Sequence, residues 1–277
     1  MPRPLDPVHR AAWDAFVGAA ISAESGGPAV LPTGDDVLRW AEIEDGRVIG
    51  AALSTPATDG RFVRIFVAEP HRRRGIGSAL LAAVRAAHPG AALTAVTTTG
   101  EAFAVRHGAA VRLRLLVMEQ RLRAAPSPDR EVEIWRDRVP EALASSLDTT
   151  YRSLADAPGA DRQDLYRTRT RAGPGNELWI AGVVTGGEVV AFTEIEAGAG
   201  PEACQHNTVV RPAHRRRGLG LAVKLGLAEY LRIHRPHLTT VTTTVSATNT
   251  AMIGLNERAG YRTVRARLLL RVEGSAE

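Results

Sequence analysis

The heptapeptide HRRRGIG at His71–Gly77 returns as HRRRGLG at His214–Gly220. Each copy follows a short β-branched run and leads into a segment of helical apolar spacing, through Leu80, Val84 and Ala87 in one case and Ala222, Val223, Leu227 and Tyr230 in the other. A turn of this composition between a strand and a helix is an anion site. Its glycines permit close backbone approach and left-handed dihedrals, and the first-turn N–H groups of the helix have no intrahelical partner. The helix dipole and the forked arginine donors add positive charge, so a pyrophosphate suits the site. A Walker loop is excluded, because it needs Lys-Ser or Lys-Thr where this chain has Ser78-Ala79 and Leu221-Ala222. A dinucleotide fingerprint fits poorly, since its third glycine is replaced by Leu80 and Val223.

The surroundings repeat as well. LRWAEIEDGRVIGAALS (Leu38–Ser54) reads as two strands about an Asp-Gly hairpin turn, and LWIAGVVTGGEVVAFTEIE (Leu178–Glu196) as the same hairpin about Gly186-Gly187. After each basic turn and helix come a β-branched strand (LTAVTTT, LTTVTTTV), a second helix and a strand-like tail, GAAVRLRLLVMEQRL or GYRTVRARLLLRV. The stretch RAAPSPDR (Arg123–Arg130) reads as a linker. The expected fold is therefore α/β (α+β), two tandem units each with a mixed sheet, with domains at residues 1–124 and 131–277.

The chain has 277 residues, 44% of them apolar and 23% charged, a balance that supports folded domains and not disorder. No apolar run reaches bilayer length and the opening lacks the core of a secretory signal, so a cytoplasmic protein with no membrane association is expected. The single cysteine, Cys204, excludes an internal disulfide and a cysteine-based zinc site; it is expected to be a small buried residue, with His206 on the same side of the strand. No metal is expected. The net charge is +5, and Lys224 is the only lysine among 35 basic residues. A nucleic-acid surface would want aromatic residues interleaved with the arginines, and none accompany them.

A pattern of Arg-x-x-Gly-x-Gly between strand and helix, late in a unit of this size, resembles the GNAT acetyltransferase superfamily. The matching residues are Arg72, Gly75 and Gly77 in the first half and Arg215, Gly218 and Gly220 in the second. ATNTAMIGLNERAGYRTV (Ala247–Val264) is similar to the next signature of that family, an Asn opening a helix that ends at Gly-Tyr, here Asn249, Gly260 and Tyr261. The layout resembles tandem actinobacterial members. The resemblance implies a mostly antiparallel sheet in each unit, acetyl-CoA as cosubstrate, and a loop that cradles its pyrophosphate. It also implies central strands that splay apart, the strand through Val209 and Val210 offering main-chain groups to pantetheine. The expected cofactor-binding set is thus Val209, Val210, Arg215, Arg217, Gly218, Leu219, Gly220, Leu221, Asn249 and Asn256, with Arg72, Gly75, Gly77 and Ser78 in the first half.

The first half departs from the later signature: Thr97 stands opposite Asn249 and Ala104 opposite Asn256, and its approach to the last helix is shorter. Chemistry is therefore expected in the second half. Transfer to an amine needs a proton acceptor, because a free alkyl amine arrives protonated at neutral pH. Glu194, in an apolar strand beside the expected site, is the candidate base; the other reading is a solvent-facing glutamate like Glu196. Many family members carry a tyrosine acid where this chain has Asn256. Asn249 reads either as a helix cap or as a pantetheine contact, and Tyr261 as core or as catalytic. Asp148, Asp156, Asp161 and Asp164 either select a cationic amine or are solvated helix faces. The expected function is acetyl-CoA-dependent N-acetylation of a small-molecule primary amine. A protein acetyltransferase, a non-catalytic acyl-CoA-binding protein and an arginine-driven nucleic-acid binder are the alternatives.

Overall fold

A computed structural model describes residues 3–25, 31–123, 129–156, 172–173 and 175–274. The chain divides into two compact units, residues 1–113 with 267–277, and residues 114–266.

In the first unit, β1 (Arg3–Pro4), β2 (Leu38–Glu44), β3 (Arg47–Ala57), β4 (Gly60–Val67) and β5 (Leu93–Thr97) follow one another across the sheet. Helix α1 (Arg10–Ser25) covers one face and α2 (Ile76–Ala87) the other, and the short α3 (Glu101–Arg106) follows β5. Pairing is antiparallel except between β4 and β5. The β2–β3 turn has both central residues left-handed, Asp45 at φ 49° and Gly46 at φ 72°, the twist a two-residue hairpin requires. Two buried clusters sandwich the sheet: Trp13, Val17, Ile21 and Leu53 on the α1 face, and Trp40, Val63, Leu80 and Val84 on the α2 face. The Trp13 indole, fully within the core, donates to the Trp40 carbonyl at 2.9 Å.

The second unit repeats this plan. Strand β6 (Ala110–Arg121) enters it from Arg114 onward, followed by β7 (Glu133–Arg136), α4 (Glu141–Arg152), β8 (Glu177–Thr185), β9 (Glu188–Ala197) and β10 (Glu202–Val210). Then come α5 (Leu219–His234), β11 (Thr240–Ser246), α6 (Thr250–Arg258) and β12 (Arg262–Val272). The sheet runs β7-β8-β9-β10-β11-β6, again with one parallel pair, β10 with β11. The β8–β9 turn is left-handed at Gly186 and Gly187, φ 59° and 76°. On α5 the buried positions Leu219, Val223, Leu227 and Leu231 form the stripe expected from their spacing. Each unit is thus a mixed, mostly antiparallel sheet flanked by helices.

The boundaries differ from those expected. Leu115–Arg121 of β6 pairs with Thr240–Ser246 of β11, and Leu268–Val272 of β12 pairs with Leu93–Thr97 of β5. The tail strand of each sequence half therefore completes the sheet of the other. Both tails mix leucine and valine with arginine in the same way, and either satisfies the edge of β5 or β11; local pattern carries no information about which edge is taken. Among the described residues no helix is long and apolar enough to cross a membrane.

Truncation after Ala266 removes the strand that covers β5. Amide hydrogen exchange is expected to speed up at Leu93–Thr97 while β8 and β9 keep their protection; loss confined to β8 and β9 would contradict the exchange of tails.

Candidate active site

Both basic turns fold alike. After β10 the chain makes one 3-10 turn, Pro212–His214, passes through Arg216 at φ 63° and Gly218 at φ 80°, and starts α5 at Leu219 without a side-chain cap. The first copy has Arg73 at φ 67° and Gly75 at φ 80° before α2. A left-handed arginine is uncommon, and its recurrence shows that the backbone path is a property of the motif. The first arginine of each triplet ties the turn to the strand it leaves: Arg215 Nε donates to the Val210 carbonyl at 3.1 Å and Arg72 Nε to the Val67 carbonyl at 3.3 Å. A Cβ on Gly220 would lie 3.1 Å from Leu255 Cδ2, closer than ordinary contact, so a side chain there requires Leu255 to shift by a few tenths of an ångström.

Beyond the turn the parallel strands part. Strand β10 pairs with β11 only from Glu202 to Cys204, and its register with β9 shifts between Gln205 and Thr208, a β-bulge. The wedge so formed continues into a cleft of about 340 Å³ that runs to the N-terminus of α5. Val209, Val210, Arg215, Gly218, Leu219, Gly220, Leu221 and Asn249 line it; Arg217, Asn256 and Glu194 do not. Asn249 is also the cap of α6, its Oδ1 accepting from the Met252 amide at 3.1 Å. Asn256 is buried, with Nδ2 3.4 Å from Met118 Sδ, because the face of α6 it occupies packs on β6 and not on the cleft. Arg216, left-handed at φ 63°, lines the cleft beside Arg215, where Arg217 was expected. Thr208, Ser153 and Leu154 also line it. The last two follow α4, far away in sequence and in no motif.

Glu194 lies on β9, 1% exposed, on the face covered by α4. The Tyr151 hydroxyl of α4 donates to its Oε1, and Asn207 Nδ2, in the bulge, donates to Oε2 at 3.1 Å. Burial pushes the carboxyl up to about 8, against the lowering effect of the Asn207 bond. Glu196, two residues on, contrasts with it: burial acts upward, but bonds from Asn176, Gly173 and His206 leave its carboxyl below the usual value. His206 Nε2 is 2.9 Å from Glu196 Oε2, and Cys204, expected to be buried, is exposed. Arg211 fixes α4 and hence Tyr151: its Nε donates to Thr150 Oγ1 at 2.8 Å and its Nη2 to Ser146 Oγ at 2.7 Å. Asp161 and Asp164 lie outside the described residues.

On the opposite face, Lys224 of α5 is 4% exposed with Nζ 5.1 Å from the centre of the Tyr261 ring. Burial brings its ammonium down to about 7. Tyr261 is in the core, and its hydroxyl donates to Gln205 Oε1.

The first unit keeps the turn and a parallel pair that ends early, Arg61–Phe62 of β4 with Leu93–Thr94 of β5, but lacks the bulge and the buried carboxylate. Gly50 pairs with Val67 as Ala191 pairs with Val210, so the residue equivalent to Glu194 is Leu53, in the α1-side core. Strand β4 has no bulge against β3. Phe103 packs where Leu255 packs in the second unit, and a Cβ on Gly77 would lie 3.3 Å from its ring. His107 Nε2 lies 3.0 Å from Ser78 Oγ, and Arg74 is paired with Glu44 at 2.6 Å, where the second unit has Thr185. Between β4 and β5 remains a cavity of about 120 Å³.

Two buried ionisable groups in one unit predict opposite pH slopes. Glu194 holds its proton more tightly folded than unfolded, so its contribution to stability falls as pH rises from the ordinary carboxylate range to about 8. Lys224 releases its proton more easily folded, so its contribution rises from about pH 7 toward the ordinary lysine range. Thermal melts of Glu194→Gln are expected to lose the first slope and those of Lys224→Met the second, the latter gaining most below pH 7. Parallel curves for wild type and both variants would contradict the burial of these groups.

Residues 36–111 match the model of an acetyltransferase (GNAT) domain, and residues 142–261 that of the acetyltransferase (GNAT) family. Among curated proteins no match is found. Among solved structures, a tandem GNAT protein from the clavulanic acid biosynthesis pathway is similar at TM-score 0.73 and 22% identity, covering 100% of this chain and 99% of that one. A GCN5-related N-acetyltransferase from Sphaerobacter thermophilus is similar at TM-score 0.67 and 18% identity, covering 99% and 95%. A GNAT-family acetyltransferase from Colwellia psychrerythraea follows at TM-score 0.63 and 12% identity, covering 99% and 100%. With a family match in each half and the doubled strand–turn–helix between them, the chain belongs to the GNAT acetyltransferase family as a tandem of two domains.

Proposed function

We propose that the protein is an acetyl-CoA-dependent N-acetyltransferase for a small primary amine, with its chemistry in the second unit. The observation that carries this reading is Glu194, buried with a raised pKa beside β10, which is bulged against β9, splayed from β11 and leads into a phosphate-type turn. The turn at Arg215–Gly220 receives the pyrophosphate of acetyl-CoA through its backbone and Arg216. Main-chain groups of Thr208–Val210 on the side that no longer pairs with β11 are available to the amides of the pantetheine arm. The amine approaches from the α4 face, where Glu194 takes its proton as the nitrogen attacks the acetyl carbon. A carboxyl with a pKa near 8 is matched to that task at neutral pH, and Tyr151 and Asn207 hold it in place. The first unit, with Leu53 in place of the base, serves as a degenerate copy.

Calorimetric titration with acetyl-CoA, combined with thiol release over a panel of amines, tests the reading. Transfer with kcat/KM falling about tenfold per pH unit below pH 8 is expected, and Glu194→Gln is expected to lower turnover by about 100-fold and abolish that limb. Binding without thiol release for any amine would make the protein an acyl-CoA binder instead. Gly220→Glu places bulk and negative charge against Leu255 and the pyrophosphate site and is expected to abolish transfer, whereas Gly77→Glu changes kcat/KM less than about threefold. Equal losses from the two would overturn the assignment of chemistry to the second unit.

A further inference from the structure

Acetyl transfer to an amine leaves a thiolate behind, and the residue at the position where many relatives carry a tyrosine acid, Asn256, is turned away from the cleft. A different hydroxyl stands at the cleft. The bulge brings Thr208 next to Gln205 on the face of the sheet opposite Glu194, and four buried side chains join there. Gln205 Nε2 donates to Thr208 Oγ1 at 2.7 Å and to Thr193 Oγ1 at 2.9 Å, using both of its hydrogens. Gln205 Oε1 accepts from the Tyr261 hydroxyl. Thr193 Oγ1 donates to the Asn207 carbonyl at 3.2 Å, which occupies its single proton. The proton of Thr208 is then left with two destinations, Thr193 Oγ1 at 2.7 Å or an acceptor in the cleft. Thr208 alone of the four lines the cleft, one residue before Val209.

Building on the acetyl-transfer reading above, we propose that the Thr208 hydroxyl donates the hydrogen bond that stabilises the departing sulfur, with Gln205 and Tyr261 as positioning residues. The steps balance for the neutral amine, the ammonium having lost one proton to solvent beforehand: the nitrogen lone pair forms the C–N bond, Glu194 receives the proton that the nitrogen then sheds, and the C–S pair leaves on sulfur as a thiolate that accepts from Thr208. Thr208 keeps its proton throughout, which suits a coenzyme thiol whose pKa is about 8.5 and which needs stabilisation more than full protonation. Base and donor lie on opposite faces of the sheet, so attack and departure are served separately. Because Gln205 is held from the far side by Tyr261, its two hydrogens stay on the threonines and Thr208 has no need to accept from the substrate. Gln205 holds the Thr208 oxygen in place, so donating to sulfur requires only that the hydroxyl rotate its proton away from Thr193 Oγ1.

The test is steady-state kinetics of Thr208→Val and Thr208→Ser with acetyl-CoA and an active amine, alongside calorimetry with CoA. Thr208→Val is expected to lower kcat by about 10- to 100-fold with KM for acetyl-CoA and the affinity for CoA within about threefold, and Thr208→Ser to restore most of the loss. The low-pH limb assigned to Glu194 stays in place. With an acetyl thioester of an aryl thiol, a better leaving group, the penalty of Thr208→Val shrinks. A wild-type kcat in Thr208→Val, or the same penalty for both thioesters, overturns the role of Thr208 while leaving the transferase reading intact. No transfer by the wild-type protein with any amine overturns both. If Thr208→Val does not fold, Thr208→Ala and Thr208→Ser are compared in its place by the same leaving-group ratio.

Discussion

Two parallel strands that stop pairing after three residues organise the second unit. Beyond Cys204 and Thr242 the ladder between β10 and β11 ends, and main-chain groups that a continuous sheet would consume face a wedge instead. A gap of this kind in the middle of a sheet is costly unless its edges are otherwise satisfied. Here β9 and β6 close the outer sides, the bulge at Gln205–Thr208 gives β10 an extra residue to bend with, and buried side chains fill the space around it. The cleft, the approach to the basic turn and the placement of Asn207 against Glu194 all follow from that divergence.

The two copies show which parts of this arrangement are shared and which belong to the second unit alone. The left-handed Arg-x-Gly turn is retained in both, down to dihedrals within a few degrees, and in both the first arginine fastens it to the preceding strand. What differs is the charge placed around it. In the first unit Leu53 takes the place of Glu194, Ala68 takes that of Arg211, and Glu44 neutralises Arg74. Burying an ionisable carboxyl and clamping a helix over it costs stability, and only the unit whose strand before the turn is bulged carries that cost.

Ionisable groups on the two faces of the second sheet are handled differently. On the α4 face Glu194 has two donors and still holds its proton tightly, because burial outweighs them. On the α5 face Lys224 rests over the Tyr261 ring, which offers a cation a weaker partner than a carboxylate would. Between them the Thr193–Gln205–Thr208–Tyr261 cluster fills the interior with polar groups that bond one another, so that the bulge is held by hydrogen bonds as well as by packing.

Local physics was legible in the chain itself. The hairpin turns at Asp45-Gly46 and Gly186-Gly187, the stripe on α5, the cap at Asn249 and the anion-binding turn each depend on a few neighbouring residues, and the doubled heptapeptide gave away the tandem plan. Glu194 was identifiable because a carboxylate in an apolar strand is out of place, but its partner Tyr151 comes from another element and carries no local mark. The tertiary structure alone decided three things: the exchange of tail strands, which rests on pairings between segments more than 100 residues apart; the burial of Asn256 against β6 and the placement of Arg216 at the cleft, set by how the helices pack; and the grouping of Gln205, Thr208, Thr193 and Tyr261, which a bulge creates by shifting the alternation of the strand. Alternation and helical spacing describe regular elements, and these features arise where regularity is broken or where distant segments meet.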